Sequence, residues 1–125
     1  MILDTNGISD LADGHAELTT IIVKAGTVEI PSVVLGEYRF GLAWSRDRNA
    51  REHWLKQLLD RFSVLDITNE TSTWYADIRS ELRRAGQPVP TNDVWIAALC
   101  RQHNLPLLSR DKHFDYIPGL QRITW

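Results

Sequence analysis

Met1-Ile2-Leu3-Asp4-Thr5-Asn6-Gly7 begins the sequence, and Leu105-Pro106-Leu107-Leu108-Ser109-Arg110-Asp111 stands near its end. Each is a short apolar run that closes on carboxylate, hydroxyl or amide residues. A brief apolar run without helical spacing reads as a strand buried on both faces. Working outward, Val28-Glu29-Ile30 and Val64-Leu65-Asp66-Ile67 read as two further short strands, and residues 121–125 as a fifth. Helices fill the intervals. Helical material follows the Asp4–Gly7 turn up to Asp13, and a second helix covers 17–24, closed by Ala25-Gly26. Pro31-Ser32 opens a helix to Trp44, with Ser32 as its N-cap. Trp54, Leu55, Leu58, Leu59 and Phe62 give 51–62 the spacing of a buried helical face, and Trp74, Ile78, Leu82 and Ala85 mark another helix stopped by Gly86. The stiff segment Gln87-Pro88-Val89-Pro90 leads into a helix over 91–103 that Asn104 ends. Strands alternating with helices predict an α/β fold on a mainly parallel sheet covered on both faces. Ligands bind such sheets beyond the carboxyl ends of the strands.

The length of 125 residues fits one domain spanning 1–125, and no repeat, linker or low-complexity tract divides it. Apolar residues make up 43%, enough for a core, and the single Cys100 excludes a disulfide scaffold and a thiolate zinc cage. A net charge of −2 argues against coating nucleic acid or membrane by bulk charge. The average hides a bias. Residues 1–38 hold six acids (Asp4, Asp10, Asp13, Glu17, Glu29, Glu37) and one base, Lys24. Residues 39–61 hold six bases, Arg39, Arg46, Arg48, Arg51, Lys56 and Arg61, against three acids. No segment approaches the roughly 18–20 apolar residues of a membrane span, and no signal region precedes Asp4, so a cytoplasmic location is expected.

Four carboxylates stand where chemistry is favoured. Asp4 directly follows the first strand, and Asp111 lies two residues past the fourth, so both face one crevice. Asp93 falls in the first turn of its helix, where the dipole alone would justify it. Yet it shares a face with Ile96, Ala97 and Cys100, which points it inward. Glu37 sits among Val33, Val34, Phe40 and Gly41, and a carboxylate in an apolar stripe needs a metal or a partner such as Arg39. Carboxylates that converge without counter-charge repel one another, and a divalent cation removes that conflict. An all-oxygen set suits Mg²⁺ or Mn²⁺, and the reaction that fits is phosphodiester hydrolysis by metal-activated water. Thr5, Asn6 and Ser109 would orient carboxylates or water.

In this order, Leu3-Asp4-Thr5-Asn6, Ile30-Pro31-Ser32-Val33-Val34-Leu35-Gly36-Glu37 with Gly41, Asn92-Asp93-Val94-Trp95-Ile96-Ala97-Ala98, Ser109-Arg110-Asp111-Lys112-His113-Phe114 and Ile117-Pro118-Gly119-Leu120 resemble the PIN-domain ribonucleases. The resemblance is strongest to the VapC toxins of type II toxin–antitoxin modules. It implies a three-layer α/β/α fold and a Mg²⁺- or Mn²⁺-dependent endoribonuclease. It also implies a homodimer and a cognate antitoxin that blocks the site. Asp4, Glu37, Asp93 and Asp111 fall on the family's acidic positions, with Asp4, Asp93 and Asp111 as metal ligands. Asp115 falls where the family sometimes supplies a further acidic or amide residue. Two departures stand out: the first strand is clipped to three residues before Asp4, and Ser109 replaces a frequent threonine.

Other features are given no role in catalysis. His15, His53, His103 and His113 lack metal-ligand spacing and read as surface or packing residues. Cys100 reads as core, and Trp54, Trp74 and Trp95 as core or dimer interface. Trp44 is read as packing, with base stacking beside Arg46 and Arg48 as the alternative. Arg39, Arg46, Arg48 and Arg51 are candidate RNA contacts; Arg79, Arg83 and Arg84 read as a solvated helix face that also suits phosphates. Three rival readings fit less well. A non-catalytic RNA- or protein-binding module would not need the carboxylate set. A phosphoacceptor signalling domain needs an acidic pair just after the first strand, where Thr5-Asn6 leave Asp4 unpaired, and an aspartyl phosphatase wants an acid where Asn6 stands.

Overall fold

Two residues, Ile2–Leu3, form strand β1, and both are fully buried. A computed structural model describing residues 1–125 adds β2 at Glu29–Pro31, β3 at Ser63–Leu65, β4 at Leu107–Leu108 and β5 at Arg122–Ile123. The sheet order is β3-β2-β1-β4-β5, and every neighbouring pair is parallel. Ile2 stands opposite both Glu29 and Leu107, and Leu3 opposite Leu108. The Ile2 amide donates to the Pro106 carbonyl at 2.9 Å and the Asp4 amide to the Leu108 carbonyl at 3.1 Å. The ladder therefore holds the chain up to Asp4 despite the shortness of β1.

Six α-helices complete the fold: α1 Thr5–Ala12, α2 Ala16–Ala25, α3 Ser32–Leu42, α4 Arg48–Leu59, α5 Asn69–Ala85 and α6 Thr91–His103. A 3-10 turn, Lys112–Tyr116, joins β4 to β5. The chain steps outward from β1 to β2 and β3, then returns past β1 to β4 and β5. Right-handed crossovers then set α1–α4 on one face and α5–α6 on the other, a three-layer α/β/α arrangement. Packing largely follows that division: α1 meets α2 and α3, α3 meets α4, and α5 lies along α6, while α3 also touches α6. Thr71 ties the last pair by donating to Gln102 Oε1 at 2.6 Å. Helix α1 approaches β1 so closely that a Cβ on Gly7 would collide with the Leu3 side chain.

Several local expectations need correction. Ser32 is the first residue of α3, with Pro31 in the cap position; its hydroxyl instead donates to Asp66 Oδ1 at 2.6 Å, tying α3 to the end of β3. The helix stops at Leu42, and Trp44 stands 81% exposed instead of packing. Helix α4 starts earlier than expected, where Arg48 pairs with Glu52 one turn on, and it stops at Leu59, short of Phe62. The fourth strand is shorter than 105–109 because the Leu105 amide is committed to the Cys100 carbonyl at the end of α6. That helix ends, as expected, on Asn104 in the left-handed conformation, and Cys100 is core.

Candidate active site

In the order β3-β2-β1-β4-β5 the direction of winding reverses between β1 and β4. Neighbouring strands leave in opposite directions there, which opens a crevice at their carboxyl ends. Asp4 and Ser109 stand at that edge. Asp4 is the N-cap of α1, with extended backbone at φ −82° and ψ 168°, and is only 5% exposed. Its Oδ1 accepts from the Thr5 amide at 2.7 Å; its Oδ2 accepts from Ser109 Oγ at 2.6 Å and from Asn6 Nδ2 at 3.1 Å. Asn6 also accepts from the Arg110 amide at 3.2 Å, and Ser109 Oγ accepts from the Asp111 amide at 3.0 Å. One small network thus locks the end of β1 to the end of β4. Burial pushes the Asp4 carboxyl up from its ordinary value and Asp111 adds to the rise, against the hydrogen bonds from Ser109, Thr5 and Asn6.

The other carboxylates arrive from α3, α6 and the turn after β4. Glu37 Oε2 accepts from Thr5 Oγ1 at 3.4 Å, while its Oε1 is buried without any hydrogen-bond partner. No arginine pairs with it, so the alternative of a salt-bridge partner such as Arg39 does not hold. Burial and the Asp4 charge push Glu37 up, opposed by Asn92 and Thr5. Asp93, in the first turn of α6, is pushed up to about 7, by burial first and then by Asp4, Asp111 and Glu37. Asp111 caps the 3-10 turn by accepting from the His113 amide at 2.9 Å. Ligand atoms of Asp93, Asp111 and His113 all lie within 4.8 Å of one another.

Comparison with known proteins places this arrangement. The PIN domain family matches residues 1–120. The chain belongs to the PIN-domain family. Among its relatives, Ribonuclease VapC4 of Mycobacterium tuberculosis is 37% identical over 74% of this chain and 72% of its own length. Ribonuclease VapC2 of Rickettsia felis is 28% identical over 99% of this chain and 96% of its own. In structure, this PIN domain is similar to VapBC2 from Rickettsia felis bound to a promoter DNA fragment, with a TM-score of 0.92 and 26% identity across 99% of this chain and 97% of that one.

The PIN domain places the remaining candidate residues unevenly. Asp115 is engaged elsewhere: Arg122 grips both its oxygens, at 2.8 and 2.9 Å, and donates through its third nitrogen to the Ser109 carbonyl at 3.1 Å. That clamp braces the 109–116 segment rather than adding a carboxylate to the crevice. His113, which spacing alone gives no role, lies in the tight acidic group, its Nδ1 3.0 Å from Asp111 Oδ1. Its position two residues after Asp111 was the available signal, since an aspartate side chain that accepts from the amide two residues on brings that residue beside it. Arg39 and Arg46 are exposed, Arg48 pairs with Glu52, and Arg51 reaches Asp13 at 3.5 Å. The residues fit a hard divalent cation. Glu37 Oε1 is an orphaned buried acceptor, three carboxyls are pushed up by burial and mutual repulsion, and the donors are mainly oxygens. The specific ion is not fixed by this donor set, because His113 adds a nitrogen.

Proposed function

We propose that this protein is an endoribonuclease that depends on Mg²⁺ or Mn²⁺ and acts as the toxin of a type II toxin–antitoxin pair. The single observation that carries the reading is that Asp93 lies near enough to Asp4, Asp111 and Glu37 to feel their charges, with a ligand atom within 4.8 Å of those of Asp111 and His113. Support also comes from relatives named as VapC ribonucleases and from a structural neighbour that is a VapBC complex. In this reading residues 1–125 form one nuclease domain. Asp4, Asp93 and Asp111 hold the cation, and Glu37, with one oxygen free, receives a proton from the attacking water. When bound, the cation supplies a Lewis acid that activates water and offsets charge on the leaving oxygen. Ser109, Asn6 and Thr5 fix the carboxylates; Arg39, Arg46, Arg48 and Arg51 receive RNA phosphates. The partners are RNA, a cognate antitoxin and a second copy of the chain. No helix is long and apolar enough to cross a membrane, and the expected location is the cytoplasm.

The test is cleavage of a labelled single-stranded RNA in Mg²⁺ or Mn²⁺, with and without EDTA. Wild type should cut only with the cation, and Asp4→Asn and Asp93→Asn should each lose at least about 100-fold in rate. Equal cutting in excess EDTA, or by both variants, rejects the metal mechanism.

A further inference from the structure

The protein's two buried side-chain polar atoms without a hydrogen-bond partner are Glu37 Oε1 and Tyr38 Oη, and both residues line one cavity of ≈ 270 Å³. Buried polar atoms are normally satisfied, and such exceptions call for a missing partner. The cavity shares Thr5 and Glu37 with the carboxylate site and continues past them to Ser45 and Arg51. Tyr38 is 6% exposed, and its ring packs against Trp54 with centroids 6.5 Å apart. Arg51 pairs with the exposed Asp13 at 3.5 Å and stands beside the Tyr38 hydroxyl, and its five-donor guanidinium has further donors for an incoming acceptor.

Gly41 also lines this cavity, in the last turn of α3, where glycine is a poorer helix former than alanine. Nothing in the fold requires it: its φ is not positive, and a Cβ there meets no atom within 4 Å. That Cβ would enter open space on the cavity wall. The lining therefore combines hydroxyls, one acid, one base and a bare backbone position beside the bond-cutting site.

We infer that this cavity is the subsite for the RNA nucleotide beside the scissile bond, with its phosphate on Arg51 and its ribose and base edges on Tyr38 and Ser45. The inference rests on the nuclease reading above. RNA is favoured over a peptide because the cavity is continuous with the carboxylates. A strand placed there for cleavage must lay its flanking nucleotide alongside, and a phosphate is the group that Arg51's further donors match. The volume suits one nucleotide, below the usual range for larger ligands.

Steady-state cleavage of a mixed-sequence labelled RNA in Mn²⁺ tests it, alongside thermal melts. Tyr38→Phe should raise KM about two- to tenfold and Arg51→Ala on the order of tenfold, with kcat little changed. Arg51→Ala should also lower the slope of log KM against log salt by about 0.7. Gly41→Leu should raise KM by obstruction, while Gly41→Ala melts at or above wild type because it improves the helix, and Tyr38→Phe melts close to wild type. Wild-type KM values in Tyr38→Phe, Arg51→Ala and Gly41→Leu overturn the subsite while leaving the nuclease reading intact. So does unchanged KM combined with loss of antitoxin inhibition, which would assign the cavity to the protein partner. Failure of wild type to cut RNA at all overturns both.

Discussion

Asp93 shows how much a carboxylate's neighbourhood changes its chemistry. Alone in the first turn of α6 it would be stabilised by the helix dipole; buried and facing Asp4, Asp111 and Glu37 it is pushed up to about 7. A carboxyl that binds its proton more tightly in the folded state stabilises the protein at low pH. That contribution is present below the unfolded value near 4 and is lost as pH rises through about 7. Without divalent ions, Asp93→Asn should therefore gain in melting temperature over wild type, and the gain should grow between pH 4 and pH 8. A difference that stays flat across that range contradicts the assignment. The four acids were legible from sequence because each breaks a local pattern: a carboxylate after a strand, or inside an apolar helical stripe. His113 was not, because its significance lies in a 3.0 Å approach to Asp111 that spacing rules for metal ligands do not describe.

At the scale of elements, the sequence carried most of the order. Gly86 and Asn104 adopt positive φ at the ends of α5 and α6, as expected of helix stops. Departures came where a residue's partner lies on another element. Ser32 has the chemistry of an N-cap, yet its hydroxyl goes to Asp66 after β3. Asp115 has the chemistry of a ligand, yet Arg122 on β5 takes both its oxygens. Gly7 marks a close approach between elements, with α1 lying directly on Leu3. Gly7→Ala should cost about 1–3 kcal/mol in urea unfolding although alanine is the better helix former. An unchanged or raised stability would show that β1 yields at no cost.

Across the whole molecule, the net charge of −2 is a sum of unlike regions. Acids gather in the crevice between β1 and β4, while Arg39 and Arg46 stand exposed, Arg48 pairs with Glu52 and Arg51 with Asp13. Binding of a divalent ion relieves repulsion among groups that folding alone has brought together, so it should stabilise the entire fold. A cation at about 100 times its Kd adds about 2.7 kcal/mol, raising Tm by several degrees. The rise should vanish in EDTA and be absent in Asp93→Asn; an equal rise in that variant would place the ion elsewhere. Residue types and spacing were enough to determine the alternation of strands and helices and to single out Asp4, Glu37, Asp93 and Asp111, because propensity and periodicity act over a few neighbouring positions. Only the tertiary structure decided which of these groups meet. Asn6 and Ser109 touch across a sequence separation of 103 because β1 pairs with β4, and that pairing is set by the packing of helices on the sheet. The same packing drew His113 in, left Asp115 to Arg122, and opened the cavity between Glu37 and Arg51.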